Sequence, residues 1–281
     1  MKTAKHIKFS YSQAIQLASG AIEIFYNEED VYGFVFEEFW EELKSEFILR
    51  LAKPNKRTIL HYYLDYVDGF VDNEIRTALQ NLGSGQYESY ISYVIKLIEE
   101  AGYNIKQENI DYELIEDCGH CSECEECRRF DEFVNYLINK KDQTIPTVIN
   151  SAFHLLMLNK SFLRDFHEAI AEQLKLENYQ LSVEYPEFFN RDNSVKRQRW
   201  PVWLKRGLFY RDNGVCVLCR KDLTGVINRG NGFEIDHIVP ISFYGSNDPS
   251  NLQILCRDCN LKKSNSSSLI SVYAVPLWDP E

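Results

Sequence analysis

Apolar residues recur at intervals of three and four over most of the chain, with charged residues between them. The pattern is clear at residues 36–47 and returns at residues 60–67, 91–98 and 144–176. Because this spacing places apolar side chains on one face of an α-helix, it predicts a helical bundle over residues 1 to about 185. Thr144 followed by Pro146 is typical of a helix start, so the last of these helices is predicted to begin there.

Charge is distributed unevenly along the chain, whose formal net charge is −11. Of its 31 basic and 42 acidic side chains, 13 and 9 lie in residues 191–281, a net of +4, which leaves 18 and 33 for the rest, a net of −15. This asymmetry predicts two domains. Residues 1–190 form an acidic α-helical domain, expected to mediate oligomerisation, to bind a protein partner or to limit access to a site. Residues 191–281 form the domain expected to contact nucleic acid.

Two features bear on where the protein resides. No run of eighteen apolar residues occurs, so no transmembrane helix and no membrane association are expected. The first residues, Met1-Lys-Thr-Ala-Lys-His-Ile7, lack the apolar core of a signal peptide. Both features predict a cytoplasmic protein, in which thiols stay reduced. The eight cysteines are therefore interpreted as metal ligands or redox groups before disulfides.

Four cysteines fall within ten residues and interrupt the helical pattern. Their acidic neighbours would raise the pKa of unligated thiols, which favours a bound metal and predicts a structural zinc site. An iron–sulfur cluster uses the same ligand type. Redox-active thiols stay open too, since Cys118-Gly-His-Cys121 matches the active-site tetrapeptide of disulfide isomerases, although without their strand–helix context. The four residues are Cys118, Cys121, Cys124 and Cys127.

A second set of four cysteines forms two well-separated Cys-x-x-Cys pairs, which is a strong indication of zinc. Four thiolates fill the coordination shell of a zinc ion, so this ion has no position for water or substrate. The pattern therefore predicts a structural zinc that holds a small module together. The ligands are Cys216, Cys219, Cys256 and Cys259.

The residues between and after these pairs carry a further motif. The chain reads Glu234-Ile-Asp-His-Ile-Val-Pro240, then a loop around Gly245, then Asn251-Leu-Gln-Ile-Leu-Cys-Arg-Asp-Cys-Asn260-Leu-Lys-Lys263. Over residues 199–268 this order resembles the HNH endonuclease family. The resemblance implies a ββα-metal nuclease module and, with the helices before it, an α+β fold. Residues 1–190 take no part in the resemblance.

The resemblance implies a role for each residue of the motif. His237, a neutral imidazole near pH 7, suits a general base that deprotonates water. Asp236 and Asn260 offer the oxygen ligands that Mg²⁺ or Mn²⁺ prefers. Asn251 orients the loop after His237, and Lys263 is expected to face the phosphate. The family usually has histidine where Asn260 stands, but asparagine also occurs there in active relatives.

A basic segment precedes the motif, with aromatic residues between its cations. It is interpreted as a surface that contacts phosphates of nucleic acid. The residues are Lys196, Arg197, Arg199, Lys205, Arg206 and Arg211.

Together these features predict a metal-dependent endonuclease that hydrolyses phosphodiester bonds, with DNA as the favoured substrate and bacterial or phage defence as a fitting role. Two alternatives stay open: an RNA endonuclease, and a zinc-stapled nucleic-acid-binding protein that does not cleave.

Overall fold

The computed structural model describes residues 11–26, 36–80, 87–106, 108–121, 123–224 and 233–264. Residues 225–232 and 265–281 of the predicted nuclease module lie outside this part of the chain. Nine α-helices are described, together with one two-stranded sheet near the C-terminus. The α+β fold is therefore confirmed. The helices are α1 (Tyr11–Tyr26), α2 (Phe36–Ala52), α3 (Ile59–Gln80), α4 (Tyr87–Glu100), α5 (Tyr112–Asp117), α6 (Glu125–Leu156), α7 (Lys160–Glu184), α8 (Val202–Arg211) and α9 (Arg257–Lys263); the strands are β1 (Glu234–His237) and β2 (Leu252–Leu255).

The chain forms two compact units, each made from two stretches of sequence. One unit takes residues 1–21 and 64–153, and the other takes residues 22–63 and 154–281. The predicted nuclease module, called the nuclease segment below, thus shares its unit with α2 and α7. The predicted domain boundary at residue 190 stays a prediction. None of the described helices is long and apolar enough to cross a membrane.

The first unit has a core built from α4, α5 and α6. Ile98 of α4 and Ile115 of α5 are completely buried against Phe130 and Leu137 of α6. Cys127, the last cysteine of the first cluster, belongs to the same core. The cysteine segment is therefore held between two helices that pack on each other.

Helix α6 runs through Pro146, so the helix start predicted at Thr144 is wrong. A proline inside a helix removes the N–H that would donate to the carbonyl four residues before it, here that of Asp142. Asp142 is exposed, so water can satisfy this carbonyl. The break falls instead at residues 157–159, where the Asn159 side chain accepts a hydrogen bond from the Phe162 backbone N–H at 3.1 Å and caps α7.

An aromatic cluster joins α2, the start of α3 and α7 in the second unit. The Phe39 ring packs 5.5 Å from the Tyr63 ring, and the Tyr63 ring packs 5.3 Å from the Phe166 ring. Trp40 of α2 donates a 2.6 Å hydrogen bond to Glu177 of α7. Buried aromatic residues at helical spacing thus form core, as the sequence pattern predicts.

The sheet positions the motif residues. Strands β1 and β2 are antiparallel, with Asp236 opposite Gln253 and His237 opposite Leu252. One face of this sheet packs on a small core that α8 completes through Leu204 and Leu208. Gly245 turns the loop between the strands so tightly that an added Cβ would lie 1.8 Å from the Val239 carbonyl oxygen. Only glycine fits at this position.

A buried charge network ties α7 to the nuclease segment. Asp212 accepts hydrogen bonds from Lys160 at 2.9 Å and from Nε and Nη2 of Arg211 at 2.7 Å each. It also accepts one from the Ile254 backbone N–H at 3.1 Å. Burial alone would raise the pKa of Asp212, but the charges of Arg211 and Lys160 lower it to about 2. The carboxylate therefore stays ionised and holds α7, α8 and β2 together.

We expect Asp212→Asn to destabilise the second unit by about 3–5 kcal/mol, because it leaves two buried cations without their counter-charge. Urea denaturation followed by circular dichroism measures this change. Glu172→Gln on the exposed face of α7 is the matched control and should change stability by less than about 0.5 kcal/mol. Equal stability of the two variants would contradict the role assigned to this network.

Candidate metal-dependent active site

The C-terminal cysteine pairs converge on one point. The sulfur atoms of Cys216, Cys219, Cys256 and Cys259 all lie within 4.8 Å of one another. The Cys219 and Cys256 sulfurs are 3.7 Å apart. A tetrahedral zinc with bonds of about 2.3 Å needs sulfur atoms roughly 3.8 Å apart, so the four thiolates fit a zinc ion. They join the turn after α8 to the start of α9.

The first cysteine cluster has the same geometry. The sulfurs of Cys118, Cys121, Cys124 and Cys127 also lie within 4.8 Å of one another, with Cys118 3.8 Å from Cys124. Backbone N–H groups of Glu123 and Cys124 lower the pKa of Cys121 to about 7, whereas burial and the neighbouring thiols raise the pKa of Cys127. This spacing matches one central ion. An iron–sulfur cluster places iron and sulfide ions between its ligands and would hold the thiolates farther apart.

The end of β1 carries the carboxylate expected to hold the catalytic ion. Asp236 accepts a 2.8 Å hydrogen bond from Lys263 of α9 and a 3.1 Å bond from the Gln253 amide. The Gln253 amide oxygen is buried without a hydrogen-bond partner among the described residues. Asn260 precedes Lys263 by three residues, so helical spacing places both on one face of α9.

These residues fit a divalent cation. Carboxylate and amide oxygens are the ligands that Mg²⁺ and Mn²⁺ prefer, and Asp236 and Asn260 supply one of each. The unsatisfied oxygen of Gln253 belongs to the amide that donates to Asp236, and a buried unpaired oxygen is costly unless a cation or water satisfies it. The donor set therefore supports an oxygen-ligated ion at the junction of β1 and α9.

Lys263 is placed differently from the phosphate-facing position expected for it. Its side chain is completely buried, and its ammonium donates to the His237 backbone carbonyl at 2.7 Å as well as to Asp236. The lysine thus holds the end of β1 against α9.

His237 lies at the end of β1 with only 2% of its surface exposed. Burial lowers its pKa to about 4, although the hydrogen bond to Asn247 acts in the opposite direction. The imidazole is therefore neutral at physiological pH, which a general base requires. The Trp200 ring packs 5.4 Å from the imidazole and covers it from the segment before α8.

Asn247 fixes the protonation of the imidazole. Its amide nitrogen donates to the carbonyls of Ala52 at 3.0 Å and Lys196 at 2.8 Å, which sets the orientation of the amide. Its oxygen, 3.2 Å from Nε2 of His237, can only accept a hydrogen bond. Nε2 must therefore carry the proton, which leaves Nδ1 as the basic nitrogen of the neutral ring.

Asn251 closes the loop that follows His237. Its amide oxygen accepts from the Val239 backbone N–H at 2.9 Å, and its nitrogen donates to the carbonyls of Val239 at 3.1 Å and Ser246 at 2.9 Å. The side chain thus spans the loop from both sides. These three hydrogen bonds fit the orienting role that the resemblance implies for Asn251.

The predicted basic residues divide into two groups. Arg197, Arg199, Lys205 and Arg206 are exposed, as contact with phosphates needs. Arg211 is buried against Asp212 and the Leu252 carbonyl. Lys196 donates to the carbonyls of Pro186 and Glu187.

Three residues of this region carry no motif signal. Asn247 occupies a turn sequence, Gly245-Ser-Asn-Asp248, that indicates only a loop. His167 of α7 lies in a helical repeat and donates to or accepts from the Ser250 hydroxyl at 2.8 Å. Gln253 occupies a buried position of a strand. Their roles come from contacts between distant parts of the chain, which no local pattern shows.

Comparison with known proteins agrees with the geometry. Residues 216–266 match the family model described as HNH endonuclease. The match begins at Cys216 and extends through α9. No curated protein and no solved structure matches the chain. Residues 1–215 lie outside the family match.

We expect two zinc ions per chain in protein purified without chelator, measured by plasma mass spectrometry. Cys219→Ser should lose one ion and unfold the C-terminal module, because structural zinc supplies on the order of 10 kcal/mol of folding free energy. Cys124→Ser should lose the other ion and leave the first in place. Iron, or a normal melting profile for Cys219→Ser, would contradict these assignments.

Proposed function

We propose that the HNH domain at residues 216–266 makes this protein a metal-dependent endonuclease that hydrolyses phosphodiester bonds in DNA. The observation that carries the proposal is the arrangement at the end of β1. There a neutral, oriented imidazole on His237 directly follows the carboxylate of Asp236, which Lys263 of α9 contacts. Asn260 lies one turn before Lys263 on the same helix. General base and hard oxygen ligands are what phosphodiester hydrolysis requires.

His237 acts as the general base in this proposal. Nδ1 accepts a proton from a water molecule, while the proton on Nε2 stays hydrogen-bonded to the Asn247 oxygen. The resulting hydroxide attacks the phosphorus, and the bond to the 3′ oxygen breaks. Because the Asn247 amide is held by two carbonyls, it can stabilise the imidazolium that forms without turning.

Asp236 and Asn260 would hold the divalent cation, Mg²⁺ or Mn²⁺, through oxygen atoms. When bound, this ion neutralises charge on the scissile phosphate and stabilises the departing oxygen. Lys263 keeps Asp236 in place by ion pairing and keeps His237 in place through its carbonyl. We therefore assign Lys263 to positioning. Asn251 holds the loop on the other side.

The exposed cations, Arg197, Arg199, Lys205 and Arg206, support a polyanionic substrate. One active site cuts one strand at a time, so double-strand cleavage needs a dimer or two successive nicks. We further propose a cytoplasmic role in defence against foreign DNA. None of the eight cysteines forms a disulfide, as a reducing compartment favours. The acidic helical part is proposed to bind a protein partner or a second copy.

We expect the protein to nick supercoiled plasmid with Mg²⁺ or Mn²⁺ and to be inactive with EDTA. His237→Ala should abolish nicking and leave the fold and DNA affinity nearly unchanged, since its side chain supplies the base. Agarose gel electrophoresis separates supercoiled from open-circular plasmid. Exposed Lys175→Ala is the control and should nick normally.

The alternatives predict other results. Faster cleavage of a matched RNA duplex would make the protein an RNA endonuclease. Binding without cleavage, identical in the wild type and His237→Ala, would mean that the module only binds nucleic acid.

We expect Lys205→Ala/Arg206→Ala to weaken binding to all DNA sequences alike, because exposed cations on α8 contact phosphates. Each lost phosphate contact should lower the slope of log affinity against log salt concentration by about 0.9. Fluorescence anisotropy with duplexes of different sequence measures both quantities. A changed sequence preference would instead mean that α8 contacts base edges.

A further inference from the structure

A short basic loop lies within the acidic part of the sequence. Residues 47–64 contain four cations, Arg50, Lys53, Lys56 and Arg57, and no carboxylate. The loop itself, residues 53–58, connects α2 to α3, and Lys53, Lys56 and Arg57 in it are exposed. The net charge of residues 1–190, which is −15, does not reveal this loop, because acidic residues elsewhere in that part of the chain outnumber its cations.

Both ends of this loop are attached to the turn beside His237. The Asn247 backbone N–H donates to the Leu51 carbonyl at 2.8 Å, and its side chain donates to the Ala52 carbonyl. At the other end, the Ile59 backbone N–H donates to Asp248 at 2.9 Å. Residues 53–58 therefore begin and end at two adjacent residues of the nuclease segment. One of these, Asn247, contacts the imidazole itself.

The loop also meets the basic segment before α8. The Lys53 ammonium lies 5.2 Å from the centre of the Phe188 ring, and the Phe188 carbonyl accepts a 2.8 Å hydrogen bond from the Lys196 N–H. The Lys196 carbonyl in turn accepts from Asn247. Lys53 and Lys196 thus both contact Phe188, and Lys196 also contacts the turn that orients His237.

A structural role alone would explain part of this charge. Cations near the C-terminus of α2 stabilise the helix dipole, and the Arg57 guanidinium packs 4.9 Å from the Tyr62 ring centre. Lys56 lies beyond the last turn of α2 and is exposed. Neither lysine forms an ion pair with a carboxylate among the described contacts. Attraction of an anion explains the exposed position of Lys53 and Lys56, in the loop attached at Asn247, better than a structural role does.

We propose that Lys53 and Lys56 form, with Arg197 and Arg199, a surface that binds the phosphates of DNA next to the scissile bond. The inference rests on the proposed endonuclease function and adds the loop from the acidic part of the chain to its substrate-binding surface. The ligand is the sugar–phosphate backbone, so the contacts are independent of base sequence.

Lys53→Ala/Lys56→Ala tests this surface in the full-length protein carrying His237→Ala, so that DNA stays intact. Binding of a labelled DNA duplex is followed by fluorescence anisotropy over a series of salt concentrations, in the presence of Mg²⁺. Loss of two phosphate contacts should lower the slope of log affinity against log salt by about 1.8. Lys96→Ala/Lys175→Ala removes the same charge from exposed positions on α4 and α7 and should leave the slope unchanged.

A slope equal to that of the control would overturn the inference. Lys53→Arg/Lys56→Arg should keep the slope, which separates a need for charge from a need for lysine packing, and circular dichroism confirms that each variant folds. Plasmid nicking by the wild type is scored separately. If Lys53→Ala/Lys56→Ala reduces the slope but the wild type does not nick plasmid, the binding surface is supported and the nuclease function is refuted. If the wild type nicks plasmid but the slope is unchanged, the nuclease function is supported and the binding surface is refuted.

Discussion

Asp248 is a carboxylate with no exposed surface, and its hydrogen bonds determine how the catalytic segment is held. Burial raises its pKa, and the bonds that it accepts from Ser250 and from the Ile59 N–H counteract this effect. An unpaired buried carboxylate costs several kcal/mol, so the start of α3 and the nuclease turn stay together. Asn247 makes the corresponding contacts with the end of α2. The helices before the HNH segment are therefore part of its structural support.

The module divides its metal chemistry between two kinds of ligand. Four thiolates could fill the shell of a zinc ion and join the turn after α8 to α9, whereas we propose that the oxygens of Asp236 and Asn260 hold a harder cation that exchanges water and substrate. Both sets converge on α9, which begins at the second cysteine pair and ends at Lys263. A sheet of two four-residue strands buries too little surface to fix this geometry alone. The zinc site and the Asp212 network supply the remaining constraint.

Local patterns predicted the helices, the α+β fold, the cysteine clusters and the HNH motif, because each depends on residue types at short spacing. Contacts between distant segments were not predictable in this way. Pro146 lies inside α6 because an exposed carbonyl tolerates the lost hydrogen bond. Arg211 and Lys263 are cations like their neighbours in sequence, yet the fold buries both against carboxylates. Asn247 acquires its importance from Ala52, 195 residues away in sequence.

The net charge of −11 does not decide whether the protein binds a polyanion. At physiological ionic strength, charges separated by more than about 8 Å are largely screened, so a phosphate responds mainly to the side chains near it. Around His237 these include cations from the segment before α8 and, through the loop attached at Asn247, cations from the acidic part of the chain. The acidic surface elsewhere then opposes nonspecific binding. The proposed contact with DNA therefore depends on the cations near His237 and not on the net charge of the chain.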